Sequence, residues 1–66
     1  MSQLYDLKLK IEAKIKADGL DGNEVRGKIG LKSGKLLALI NPMTPDDPAG
    51  IAKLRQAIND VLGLSA

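Results

Sequence analysis

The chain of 66 residues predicts an all-α fold, a compact bundle of four to five short helices. Aliphatic spacing, side-chain composition and helix punctuation all point that way. Leu4, Leu7, Ile11 and Ile15 recur three and four apart near one end, and Ile51, Leu54, Ile58, Val61 and Leu62 do so near the other, each set making one apolar stripe. In the first segment Ala13, Ala17, Glu12 and the lysines form helices well and strands poorly. Ser2, Asp21 and Thr44 stand where helices start, and Gly19 and Gly63 where they stop.

The first segment reads as a helix capped by Ser2 and ended by Gly19. The same residues also fit a second pattern. Tyr5, Leu7, Leu9, Ile11, Ala13, Ile15 and Ala17 alternate with polar neighbours, the period of a half-buried strand. Val25, Gly27, Ile29 and Leu31 alternate likewise before Ser33-Gly34, a candidate hairpin turn. The alternative fold is therefore α+β, a three-stranded antiparallel sheet with one C-terminal helix.

In the helical reading Asp21 and Glu24, three apart, form a capping box. Val25 and Ile29 then share one face, and Gly30 turns the chain with the φ freedom of glycine. Ser33 caps a following helix that points Leu36, Leu39 and Ile40 inward, with Gly34 at its start. Gly27, inside the leading helix, costs about 1 kcal/mol relative to Ala. The last helix is expected over residues 45–62: Thr44 as N-cap, Pro45 at the first position, Asp46 and Asp47 on the positive end of the dipole, Gly63 as terminator.

These elements make one small domain, residues 1–66, and a chain this short hides only about 60% of its unfolded surface. Tyr5 is its single aromatic residue, so the core is aliphatic. With neither Cys nor His, disulfides, thiolate metal sites and the commonest general base are excluded. No nucleophile–base pair can be assembled, so no enzyme activity, cofactor or small-molecule substrate is expected. Asp46-Asp47 cannot supply the six oxygens of a hard cation, and Gly34-Lys35 lacks the rest of a phosphate loop. Without a long apolar run or a signal pattern, no membrane association and a cytoplasmic location are expected. The net charge is only +2, yet residues 26–35 carry Arg26, Lys28, Lys32 and Lys35 with no acid among them, which is compatible with a polyanion.

Gly19-Leu20, Asp21, Val25, Ile29, Gly30-Leu31, Leu36 and Leu39 together resemble the helix-turn-helix of the phage-repressor-like (lambda repressor and Cro type) transcription regulators. The closing Leu62-Gly63-Leu64-Ser65 is similar to the end of that family's last helix. Where the family carries a small residue at the helix crossing this chain has Arg26, whose long side chain has to snorkel outward or force the helices apart. The resemblance implies a DNA-binding transcription regulator whose second helix enters the major groove of double-stranded DNA. Its contact residues would be Lys28, Lys32, Ser33 and Lys35, with Leu37 and Ala38 on the groove-facing side. Lysines contact phosphates, and no Arg, Asn or Gln stands on that face for bidentate base readout. The competing reading places Leu37 in the core and the lysines in solvent. The α+β alternative is a non-enzymatic protein-interaction module, and a homodimer is compatible with either fold.

Overall fold

A computed structural model describes residues 2–64. It contains three α-helices, α1 (Gln3–Asp18), α2 (Gly22–Ser33) and α3 (Pro48–Leu62), and one 3-10 turn at Leu37–Leu39. The described residues hold no strand, so the α+β alternative is not supported, and the α-helices number three rather than four or five.

In α1, Leu4, Leu7, Ile11 and Ile15 are the buried residues, while Leu9 is exposed. Helical spacing thus won over alternation, which would have put Leu9 on the same side as Leu7. The helix starts on two caps. Ser2 Oγ accepts from Tyr5 N at 3.3 Å, and Asp46 Oδ1, from the distant loop, accepts from Gln3 N at 2.8 Å. It stops at Gly19, which takes the left-handed conformation at φ 63°.

Helix α2 starts at the expected cap, Asp21 Oδ1 accepting from Asn23 N at 3.0 Å and from Glu24 N at 3.4 Å, but the return half of the capping box is not formed and Glu24 Oε1 pairs with Lys28 Nζ at 2.9 Å instead. The expected corner at Gly30 is not there. The helix runs straight through it and ends three residues later at Ser33, capped by Gly34 at φ 70°, whose N–H donates to Gly30 O at 2.8 Å. No second helix starts at Ser33. Leu36 is extended, and one 3-10 turn brings Leu37 and Ile40 inward. Of the three residues expected inward only Ile40 is buried, because Leu36 and Leu39 face solvent.

Helix α3 begins at Pro48, not Pro45. The residue before a proline is pushed out of the helical region, and Asp47 is indeed extended at φ -131°, ψ 113°. Thr44 instead closes a turn, its Oγ1 accepting from Asn41 N at 2.8 Å. Gly63 terminates α3 at φ 67°, and Ser65 lies outside the described residues. Ile51, Leu54, Ala57 and Ile58 of α3 wall the core from both other helices, which touch each other far less. No described helix is long and apolar enough to cross a membrane.

Candidate functional site

Gly27, Gly30 and Gly34 are three and four residues apart, so they fall on one side of α2 and its cap. Leu31 sits four residues from Gly27 on the same side. The chain leaving α2 folds back along that side, and it passes so close that a Cβ on Gly30 would lie 3.4 Å from Lys35 O. Between this returning segment and the helix lies an apolar groove of about 500 Å³. Its lining includes the three glycines and Leu31, Leu36 and Leu39, which are 89%, 68% and 70% exposed. Nothing stands within 4 Å of the position a Gly27 Cβ would take, so the groove is open there.

The charged residues at its margin are basic: Arg26 and Lys35. Arg26 Nε and Nη2 donate to Glu12 Oε1 and Oε2 at 2.7 and 2.9 Å, a forked pair that ties α2 to α1. The helix crossing expected at Arg26 does not form, since no second α-helix starts at Ser33, and the side chain reaches Glu12 of α1 instead. Hydrogen bonding to Arg26 outweighs partial burial and holds the Glu12 carboxyl below its ordinary value; the same bond raises Arg26. Lys35 lies over Gly50, where a Cβ would come within 2.7 Å of Lys35 Cε, and its Nζ reaches Asp47 Oδ2 at 3.5 Å. Glycine at position 50 therefore leaves room for a lysine arm that fastens the returning segment to the start of α3. Lys8 Nζ fastens the far end of that segment, donating to Ile40 O at 3.0 Å.

The residues expected to touch DNA do not share one surface role. Lys28 is exposed and paired with Glu24 at 2.9 Å. Lys32 is exposed and has no ion pair among the described residues. Lys35 is half-buried along its stem. Ser33 is 3% exposed, and its Oγ accepts from Lys35 N at 3.2 Å, closing the turn behind α2. The free hydroxyl anticipated for a base edge is thus a buried turn element. Leu37, 3% exposed, belongs to the core. The exposed leucines were missed by the reading of the sequence, although Gly27, Gly30 and Gly34 beside Leu31 carried the signal: a helix side without Cβ atoms next to an aliphatic one. No protein-family model matches the chain, and neither curated proteins nor solved structures match it.

Proposed function

We propose that this chain is a non-enzymatic docking module whose groove beside α2 accepts aliphatic side chains of another protein. One observation carries the reading: Leu31, Leu36 and Leu39 stay exposed around a single groove of about 500 Å³. A 66-residue domain has little apolar surface to spare. Contiguous exposed aliphatics rimmed by charge are typical of interaction sites, and covering them returns about 25 cal/mol per Å². The glycines let a partner approach the α2 backbone closely, which larger residues would prevent. The test is a titration with a leucine-bearing amphipathic peptide, followed by backbone amide shifts. Changes should cluster over residues 27–39; changes confined to α3, or none, would refute the reading.

A second reading, contact with duplex DNA by a regulator of transcription, draws on Lys10, Lys16 and Lys32. All three are exposed, with no ion pair among the described residues. In the absence of a helix over residues 33–40, such contact would be to phosphates and independent of sequence. Polarisation titrations with two unrelated duplexes across salt concentrations test it. Equal affinities that fall steeply with salt support it, and no binding at low salt rejects it.

A further inference from the structure

We infer that the occupant of the groove is an amphipathic helix from another protein, one that places Asp or Glu beside its aliphatic stripe. This rests on the docking reading above and adds the chemistry of the partner. Three ways of binding a peptide compete for such a groove. Strand addition needs a sheet edge with unpaired backbone groups, and the described residues contain no strand. A proline-rich segment needs an aromatic-lined groove, and the single aromatic residue, Tyr5, is not among the lining residues. A helix needs an apolar trough with room for its backbone, and Gly27, Gly30, Gly34 and the leucines supply one.

Charge decides what flanks the helix. Arg26 and Lys35 line the groove, no acid lines it, and Lys32 follows Leu31 in the chain without itself lining it. Lys32 has no ion pair among the described residues, and Lys35 holds Asp47 at 3.5 Å, the longest of the four ion pairs. The Lys32 ammonium can therefore meet an incoming carboxylate without leaving another partner among the described residues, while Lys35 adds positive charge at the lining and stays on Asp47. A second copy of this chain is a poor occupant. An isologous contact through this face would set Arg26, Lys32 and Lys35 against the same residues of the other copy. A bilayer is also a poor match, since a flat lipid surface leaves a concave trough unfilled.

Two fluorescein-labelled peptides of about 18 residues, five helical turns, make the test. Both carry Leu at i, i+4, i+7 and i+11; one has Glu beside the leucines and the other Lys. The acidic peptide should bind the full chain about tenfold or more tighter, with amide shifts over residues 27–39. The gap should narrow at high salt. Lys32→Glu should reverse the preference, and its amide spectrum should otherwise match that of the parent, because Lys32 is exposed and has no ion pair among the described residues. Equal binding of both peptides would leave the docking reading standing and overturn the acidic partner. Binding of neither would overturn both. Acidic-peptide shifts confined to another face, dimerisation that protects the groove amides, or stronger binding to phosphatidylserine vesicles than to the acidic peptide would each overturn the inference.

Discussion

Leu54 and Leu36 are the same residue in opposite surroundings, 0% and 68% exposed, and they should answer differently to the same substitution. Leu54→Ala opens a cavity in the core cluster that also holds Ile11, Ile29 and Ile58, and a buried Leu→Ala change costs about 2–5 kcal/mol. In a domain this small that is most of the available stability. Thermal denaturation should show Leu54→Ala largely unfolded at 37 °C, while Leu36→Ala melts within a few degrees of the parent. The Glu12–Arg26 pair gives a pH signature instead. Glu12 is held below its ordinary value chiefly by the Arg26 hydrogen bond, so the folded state binds this proton less readily than the unfolded chain does. Its contribution is complete above the unfolded-chain value of about 4.3 and disappears as pH falls through the lower folded-state value. Both side chains are about one-third exposed, at 39% and 34%, so solvent keeps the effect small. Urea denaturation from pH 7 to pH 3 should find Glu12→Gln less stable than the parent at neutral pH, with the gap closing below pH 4. A gap that persists unchanged to pH 3 would contradict the assignment.

Glycine has opposite duties at two places in α2, and alanine separates them. Gly34 caps the helix at φ 70°, where a Cβ costs about 1–2 kcal/mol. Gly27 sits inside the helix with nothing within 4 Å of its missing Cβ, so Ala there should gain about 0.5–1 kcal/mol. Chemical denaturation should place Gly27→Ala above the parent and Gly34→Ala below it. Gly27→Ala should also weaken peptide binding, since its methyl enters the groove. These two positions show why α1 and α3 were legible in the sequence and the middle was not. Ile11 and Ile58 belong to stripes broken by polar residues, so only one face was available to bury. Residues 36–40 read Leu-Leu-Ala-Leu-Ile, a run without a polar residue to mark the wet side. Whether Leu36 or Leu37 turned inward depended on where α2 stopped, and both Gly30 and Gly34 were plausible stops. Gly30 serves as a place of close approach for Lys35 O, a tertiary fact with no local signature. The start of α3 was expected three residues early, at Pro45, because the effect of Pro48 on Asp47 was not weighed. The Asp46 cap on α1 was not legible, because it spans 43 residues of chain. Of the expected contact residues only Lys32 has a charge with no ion pair among the described residues, and two of the three groove leucines, Leu36 and Leu39, were expected inward on a helix that does not form.

The three helices do not contribute equally to the whole. Helix α3 packs on both α1 and α2, which meet each other mainly at the edge marked by Glu12 and Arg26. The residues α1 buries therefore lean on α3: remove Ile51, Leu54, Ala57 and Ile58 and the wall facing Leu4, Leu7 and Ile11 is gone. Isolated helices of 16 and 12 residues sit at the margin of stability in water, and one exposed ion pair cannot hold them together. The groove would go too, because Lys35 is anchored to Asp47 beside Gly50 at the head of α3. A fragment of residues 1–46 should thus show weak helical circular dichroism, no cooperative melt and no peptide binding. Mixing it with a peptide of residues 47–66 should recover helicity in a concentration-dependent way, since the lost contacts are apolar and need no covalent link. If residues 1–46 melt cooperatively alone, α1 and α2 hold a core of their own, and the groove would have to be reassigned to a two-helix unit.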